Sequence, residues 1–451
     1  MNFKKMNRIL TTLSLALCFS AGLLAQPPGD SSPTYPQGAT YVLNDGTTVT
    51  LSDQSYNCST QYYNVVQVSN GTLYLNNCTY TKTGDGSSGD NSSFYGNNSS
   101  IYAGAASSTN YESTTAGANA VIHITGGTVT SNSQGANAVF ATNGATIYVD
   151  GLTIVNNNSV SRGLHATYGG TIIATNVDIT TNSQTSSTIA TDRGGGTVSV
   201  TGGSATANGS RSAVIYSTGT MSATDLTGTS AQGEIAVIEG DNSITMTNCT
   251  MTSGSSERGL LMMQSGSGDA SGYHPVMTIS GTSLTMTDAS APLLEVATAV
   301  TATCTLDNCT IDVPSGILMY VMDDDQWSTN GAVGTLVLSN GTYSGQVKYD
   351  SGYTANVTVN SDATWNLTAN TSVCAIVNNG TINTNGYSLT YTSLSGSGSI
   401  NTGTGINENE IESPINDGMI YTIDGRCLGT TLPDDYHGVY IQNGKKLLKT
   451  N

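Results

Sequence analysis

Residues 143–159 read NGATIYVDGLTIVNNNS, and closely similar stretches follow at a nearly fixed interval. The next two are YGGTIIATNVDITTNS at 168–183 and GGGTVSVTGGSATAN at 194–208. The strand that begins each stretch is predicted to start at Val121, Thr146, Thr171, Thr197, Thr220 and Ser243, in steps of 25, 25, 26, 23 and 23 residues. A repeat of this length predicts a stacked array, in which each unit buries its apolar side against its neighbours.

The apolar residues inside each unit alternate with a period of two, as in Ile147/Val149 and Ile172/Ala174. This period is typical of strands and not of helices. A second strand follows a bend, and a third carries a row at 25-residue spacing, formed by Val139, Leu164, Ile189 and Val214. Three short strands per coil and no helical segment predict an all-β fold: a single-stranded parallel β-helix solenoid of about 12 coils, with ~23–25 residues in each.

The two ends of the chain differ from this repeat. Lys4, Lys5 and Arg8 precede an apolar run over 9–24, which predicts a signal peptide at 1–25 with cleavage between Ala25 and Gln26. The protein is therefore expected to be secreted or displayed on the outer membrane exterior, with no membrane span in the mature chain. Its net charge of −18, about −21 after cleavage, disfavours nucleic acid and anionic membranes as partners.

Seven cysteines remain after the signal peptide, and they are widely scattered. Cys78, Cys249 and Cys309 each lie in an Asn-Cys-Thr tripeptide at one position of the coil. An odd number of cysteines without a CxxC pair argues against a disulfide framework or a zinc site. We expect buried thiols.

The strand pattern resembles the right-handed parallel β-helix of pectate-lyase-like and adhesin-like secreted proteins. The tail GMIYTIDGRCLGTTLPDDYHGVYIQNGKKLLKTN resembles the C-terminal sorting domain of Bacteroidetes-type secreted proteins. That resemblance implies a small β module at 418–451 that the type IX secretion machinery recognises. The β-helix is expected over 26–403, with a charged linker at 404–417.

Catalysis on the regular strands is not expected. Asp150, Asp178 and Asp225 each stand alone in a column of neutral residues, whereas a β-helix hydrolase needs two or three acids close together. No NTD…DD…GHG…RIK series, as in the polygalacturonase family, is present.

The other charged residues on the coils have structural interpretations. Arg211, Glu234 and Arg258 are expected to form an exposed ladder on successive coils, worth about 0–1 kcal/mol per pair. His165 falls in a column with Phe140, Ala190 and Ile215 and is expected to be packed.

Three insertions, 106–119, 264–275 and 323–334, expand the turn between the third strand of one coil and the first strand of the next. The second and third precede strands two coils apart, so they emerge ~10 Å from each other. Together they offer carboxylates and exposed aromatic rings, which suit carbohydrate binding: Asp269, Tyr273, His274, Asp323, Asp324, Asp325 and Trp327. Calcium at Asp323, Asp324 and Asp325 is the only cofactor that the sequence suggests.

The function hypothesis is a non-enzymatic, adhesin-like or glycan-contacting protein, whose partner is a carbohydrate or a host or cell-surface ligand. The alternative is a polysaccharide lyase or glycoside hydrolase that acts at the edge formed by 264–275 and 323–334. Ice binding through flat threonine columns is disfavoured, because Asn, Asp and bulky residues interrupt these columns.

Overall fold

A computed structural model describes residues 32–86, 91–105, 109–324, 331–402, 418–423, 426–433, 435–442 and 445–449. It confirms the all-β solenoid: parallel strands stack in two long sheets of 12 and 22 strands and in a third sheet of four strands. A separate antiparallel sheet of four strands lies near the C-terminus. The signal peptide and linker positions lie outside the described residues, so those predictions remain predictions.

The strands of the two long sheets alternate along the chain as each coil closes. The 12-stranded sheet consists of the third strands of the coils: Gly38–Leu43, Tyr63–Val68, Ile101–Ala103, Val139–Ala141, Leu164–Ala166, Ile189–Thr191, Ile215–Ser217, Ala236–Glu239, Leu260–Met263, Leu294–Val296, Ile317–Val321 and Gln346–Tyr349. The 22-stranded sheet consists of the first and second strands: Thr48–Ser52, Ser55–Cys58, Gly71–Asn76, Thr79–Lys82, Ala120–Thr125, Thr128–Ser131, Thr146–Asp150, Thr153–Asn156, Gly170–Thr181, Gly196–Ala207, Thr220–Thr224, Thr227–Ser230, Ser243–Thr247, Thr250–Ser253, Val276–Ser280, Ser283–Met286, Thr301–Asp307, Thr310–Asp312, Val333–Ser339, Thr354–Val359, Thr371–Asn378 and Leu389–Ser395.

The remaining strands form the two small sheets. The four-stranded parallel sheet continues the solenoid through Gly341–Ser344, Ala363–Asn366, Thr381–Asn383 and Ser399–Asn401. The C-terminal antiparallel sheet contains Ile420–Thr422, Cys427–Gly429, Gly438–Gln442 and Lys445–Lys449. Among the described residues, no helix has the length and apolar character that crossing a membrane requires.

One residue in the left-handed conformation makes the bend between the first and second strands of most coils. Asn77, Asn176 and Asn248 all have φ between 51° and 53° there, and glycine takes the same place at Gly151. Asparagine and glycine tolerate this conformation better than other residues. The Asn-Cys dipeptides therefore mark this bend in three of the coils.

The next residue after the bend points into the core, which explains the Asn-Cys-Thr tripeptides. Cys78, Cys249 and Cys309 are buried, and each sulfur lies within hydrogen-bonding distance of two backbone carbonyls. All seven described cysteines are free; five are buried, whereas Cys374 is half-buried and Cys427 is exposed. The expectation of buried thiols is thus confirmed for the solenoid bends but is wrong for Cys427.

The pairing of the first and second strands between neighbouring coils follows the alignment predicted from the repeat. Thr146, Thr171 and Thr197 occupy one position on successive coils, and Asp150 pairs with the neutral Thr175 on the next coil. The third strand is one residue off the predicted row at one coil, because Ile189 pairs with Ile215 and not with Val214. A step of 26 residues between these coils, instead of 25, accounts for the error.

The segment between Lys82 and the strand Ile101–Ala103 is an insertion that the repeat did not reveal. It contains a short helix, Asn91–Tyr95, whose five residues are all buried. Asn137 Nδ2 donates to the Ser92 carbonyl at 3.0 Å, and Thr167 Oγ1 donates to the Phe94 carbonyl at 2.9 Å. The insertion therefore lies on the outer face of the 12-stranded sheet and covers its neighbouring coils.

A mostly polar inward column runs along the end of the second strands. Its successive members are Cys58, Lys82, Ser131, Asn156, Thr181, Ala207, Ser230 and Ser253. Lys82 is fully buried, and its Nζ donates to the carbonyls of Thr60 at 2.8 Å and Gly84 at 2.7 Å. Burial lowers the pKa of Lys82 to about 8, because the charged amine is separated from water.

Lys82 is expected to make the free energy of unfolding rise between about pH 8 and pH 10.5. The unfolded chain holds the Lys82 proton more tightly than the folded chain, so stability increases with pH in this window, by up to about 3 kcal/mol. Urea titrations across this range should show the increase in the wild type and not in Lys82→Met. Lys445→Met, which removes an exposed lysine, should follow the wild type; equal slopes in all three proteins would contradict the prediction.

Candidate functional site

The outward side chains of the 12-stranded sheet form one column along the solenoid. In order along the stack they are Gln67, Tyr102, Phe140, His165, Ala190, Tyr216, Val237, Leu261, Glu295, Tyr320 and Lys348. Side chains of a strand alternate between the two faces, so this column faces away from the core. We call it the outer column.

The first part of the outer column is covered by the insertion that carries the short helix. Phe140 and His165 have no exposed surface. Burial and the nearby Arg162 lower the pKa of His165 well below its usual range, so the ring is neutral at pH 7. The prediction that His165 is packed is confirmed, although its column continues to Tyr216 and not to Ile215.

The second part of the outer column is open and forms the floor of a groove of about 1180 Å³. Eight carboxylates line it: Asp192, Glu234, Glu239, Glu257, Asp269, Glu295, Asp323 and Asp324. Four basic residues line it as well: Arg162, Arg211, Arg258 and Lys348. The groove is therefore acidic, like the chain as a whole, and side chains from many different coils contribute to it.

Arg258 is at the centre of the strongest charge cluster in the groove. Its Nε lies 3.1 Å from Glu234 Oε1, and its Nη1 lies 2.7 Å from Glu295 Oε1 and 3.5 Å from Asp324 Oδ2. Glu257 is a fourth partner, at 3.4 Å, but its side chain is 70% exposed. Because Glu295 and Asp324 approach the same nitrogen, these two carboxylate oxygens are at most about 6 Å apart.

Glu295 has the most unusual environment in this cluster. Its side chain is 5% exposed, and burial raises its pKa to about 7. Arg258 acts in the opposite direction, but Asp324 and Glu234 add negative charge that favours the protonated form. One guanidinium thus does not neutralise the carboxylates that surround it.

A second cluster lies nearer the covered end. Tyr216 donates to Glu239 Oε1 at 2.5 Å, and burial raises the pKa of Glu239. Arg193 holds Asp269 through Nε at 3.0 Å and Nη2 at 2.8 Å, while its guanidinium lies 4.2 Å from the ring centre of Phe94. These contacts join the loop 264–275 to the insertion of the short helix and define this end of the groove.

The structure divides the predicted binding residues. Asp269, Asp323 and Asp324 line the groove. Tyr273 is 52% exposed outside the groove, and His274 Nδ1 pairs with Asp241 Oδ1 at 3.1 Å, also outside it. Asp325 and Trp327 lie outside the described residues.

The prediction of an exposed ladder of charged residues is wrong in two respects. Glu234 and Arg258 do pair on successive coils, but Arg211 is exposed and makes no salt bridge within the part of the chain that the structure describes. In addition, the Arg258 side chain is only 16% exposed, and it lies in a groove with acids from two further coils. The value of about 0–1 kcal/mol per exposed ion pair therefore does not describe how much Arg258 contributes to stability.

Sequence reasoning missed Glu239, Glu295, Tyr216 and Tyr320 as groove residues. A signal for one of them was present, because Glu295 is a charged residue flanked by the apolar Leu294 and Val296 in a third strand. Period-two alternation places such a residue on the outer face. The missing information was that this face is a groove and not a plain surface.

The calcium site remains a prediction. Among the described residues, no group of three or more His, Cys, Asp or Glu side chains is placed to hold a metal ion. Asp325, one of the three predicted ligands, is not among these residues. Asp324 contacts Arg258, and Asp323 lies against Tyr353.

Comparison of the chain with models of protein families, with curated proteins and with solved structures gives no match. The class of protein that the fold defines is thus a parallel β-helix solenoid with an acidic groove on one sheet.

Proposed function

We propose that this protein is a secreted or cell-surface β-helix that binds a glycan chain in the groove of its 12-stranded sheet. The observation that carries the proposal is the groove itself, which follows the outer column over six successive strands from Tyr216 to Lys348. At a coil spacing of ~4.8 Å, this is about 24 Å, a length that suits a chain of sugars better than a single sugar.

The chemistry of the lining supports the same ligand class. Two tyrosines of the outer column, Tyr216 and Tyr320, are half-buried in the floor and offer ring surface for sugar packing, with Lys348 Nζ 4.5 Å from the ring centre of Tyr320. Seven serine residues also line the groove, and their hydroxyls can donate to and accept from sugar hydroxyls: Ser187, Ser210, Ser255, Ser256, Ser265, Ser267 and Ser290. Polar groups around apolar ring surfaces are the usual composition of a carbohydrate site.

The resemblances seen in the sequence are consistent with this proposal. Pectate-lyase-like and adhesin-like β-helices are secreted proteins that act at surfaces. The tail at 418–451 is proposed to direct the chain to type IX secretion machinery, which would place the groove outside the cell. Deletion of residues 418–451 is the corresponding test of export, with the protein measured in cell and medium fractions.

Replacing Tyr320 with alanine is expected to weaken glycan binding about tenfold, or ~1.4 kcal/mol, because the ring surface in the groove is lost. A glycan array identifies the ligand, and calorimetry on the intact protein then measures the affinity. Tyr391→Ala is the matched control, since Tyr391 is 42% exposed on the last strand of the 22-stranded sheet. If no glycan binds the intact protein, the proposal is abandoned.

One observation favours hydrolysis as a second candidate function. Glu295 has a pKa of about 7, and a second carboxylate, Asp324, is at most about 6 Å away. A glycoside hydrolase uses a protonated carboxyl to donate to the leaving oxygen and a second carboxylate as base or nucleophile. If this function is correct, Glu295→Gln will abolish release of reducing ends from the bound glycan while the glycan still binds.

A further inference from the structure

The charge of the groove constrains which glycans it can hold. Eight carboxylates and four basic residues line it, and the most buried of these acids are Asp192, Glu239, Glu295 and Asp324. A uronate or sulfated chain would bring further negative charge against Glu295 and Asp324, whose side chains are 5% and 6% exposed. Like charges at short range in a poorly solvated site repel strongly, so acidic polysaccharides are disfavoured.

The Arg258 cluster has an excess of negative charge. Glu234, Glu257 and Glu295 share the single guanidinium of Arg258 with Asp324. A cation that enters the groove beside these carboxylates would complete the charge balance that Arg258 alone does not provide.

The second cluster, which we call the Glu239 cluster, provides an independent indication of a missing hydrogen-bond donor. Glu239 is 2% exposed, and its Oε2 has no hydrogen-bond partner of good geometry among the described residues, although Ser265 lies beside it. Buried carboxylate oxygens are normally paired, and a hydrogen-bond donor from a ligand would satisfy this one. The strands that carry Glu239 and Glu295 are two coils apart, so the clusters are spaced by about 10 Å along the groove.

A regularly spaced, flexible cation fits these two clusters better than a metal ion or a peptide. The described residues hold no group of three metal-ligating side chains. An extended peptide binds a sheet through a free strand edge, but the strands that carry Glu239 and Glu295 are each paired on both sides within the 12-stranded sheet. A glycan needs no free backbone edge, and its amines can recur at fixed intervals.

We propose that the groove selects a glycan that carries free amines, such as a de-N-acetylated amino-sugar polymer, and that the Glu239 and Arg258 clusters each hold one ammonium group. This inference rests on the proposed function and names its ligand class. It differs from what the pectate-lyase-like resemblance would suggest, since the best known substrates of that group are acidic polysaccharides.

The test compares a short glucosamine oligosaccharide with its fully N-acetylated counterpart, by calorimetry on the intact protein near pH 7, because Glu295 is protonated at lower pH. We expect the amine form to bind at least about tenfold more tightly and its affinity to fall steeply with salt. Glu239→Gln should weaken binding of the amine form about tenfold and leave the acetylated form unchanged. Asp150→Asn is the matched control, because it removes the same charge outside the groove and should change neither affinity.

A second measurement detects the ammonium directly. An ammonium beside Glu295 favours the carboxylate form, so binding near pH 7 should release protons from Glu295. Titrations in buffers of different ionisation enthalpy measure this release. In Glu295→Gln the proton release from residue 295 should disappear. Any protons that the oligosaccharide itself gains or loses on binding should still be measured.

The other outcomes separate this inference from the function on which it rests. Equal affinity for both oligosaccharides would overturn the amine inference and leave glycan binding intact. Oligolysine that binds as tightly as the amine oligosaccharide, or oligogalacturonate that binds in the presence of calcium, would also overturn it and would indicate a basic peptide or an acidic glycan. Failure of every glycan on an array would remove the proposed function as well.

Discussion

Arg258→Ala is expected to lower the free energy of unfolding by about 3 kcal/mol at about pH 8. The substitution leaves Glu234, Glu295 and Asp324 close together without the guanidinium that all three contact. Their side chains are between 5% and 12% exposed, so water replaces the lost charge poorly. Urea denaturation followed by circular dichroism measures the loss, with the slope checked for two-state behaviour.

The pH dependence of this loss distinguishes lost charge pairing from lost packing. Arg258 lowers the pKa of Glu295, so its removal raises that pKa further above about 7. A carboxyl whose pKa is raised on folding stabilises the protein at low pH and loses that contribution as the pH rises through the folded-state value. The deficit of Arg258→Ala should therefore be largest above pH 7 and should shrink towards pH 5.

Arg211→Ala is the control for this experiment. Arg211 also lines the groove, but it is exposed and makes no salt bridge among the described residues, so its removal should change stability by no more than about 0.5 kcal/mol. Equal losses in the two variants, or a deficit in Arg258→Ala that does not change with pH, would show that the charge cluster does not stabilise the fold in the way described.

Trp365→Ala is expected to cost about 3–5 kcal/mol, the range found when a buried aromatic side chain is removed. Trp365 has no exposed surface and is the largest fully buried side chain among the described residues. It stacks in the core between Tyr343 and Ile382 on neighbouring coils, and its Nε1 donates to the Gly345 carbonyl at 3.0 Å. Alanine would leave a cavity and an unsatisfied carbonyl in the last third of the solenoid.

The loss should be local at first, because each coil contacts only its neighbours. Hydrogen exchange is expected to increase most in the strands from Gly341–Ser344 to Ser399–Asn401, before the N-terminal coils are affected. Trp365→Phe fills most of the space and should lose less than half as much stability. A change below about 1 kcal/mol in Trp365→Ala would mean that this part of the solenoid contributes little to the measured unfolding.

Most of the fold could be predicted because the solenoid has a short period. Neighbours in the stack are about 25 residues apart, so aligning NGATIYVDGLTIVNNNS with its copies already aligns the coils in space. The alignment correctly predicted that Asp150 has no acidic residue beside it on the adjacent coils. It also placed Cys78, Cys249 and Cys309 at one bend, where the structure shows three equivalent buried thiols.

The candidate site could be predicted only in part. Asp269, Asp323 and Asp324 were selected because they lie on insertions, and they do line the groove. Tyr273 and His274 were selected for the same reason and do not, because a loop sequence does not reveal towards which side a residue turns. Glu295 was overlooked, since nothing in the repeat distinguishes an outward position on a groove floor from one on an open face.

The sequence by itself determined the coil, the strands, the left-handed bends and the inward rows, because each of these depends on local alternation and on a repeat of about 25 residues. Only the tertiary structure decided which charges meet between residues that are more than one coil apart. Arg258 and Asp324 are 66 residues apart, and Arg193 and Asp269 are 76 residues apart. The acid of each pair lies on an insertion that interrupts the repeat. The period of the sequence does not predict against which coils an insertion packs.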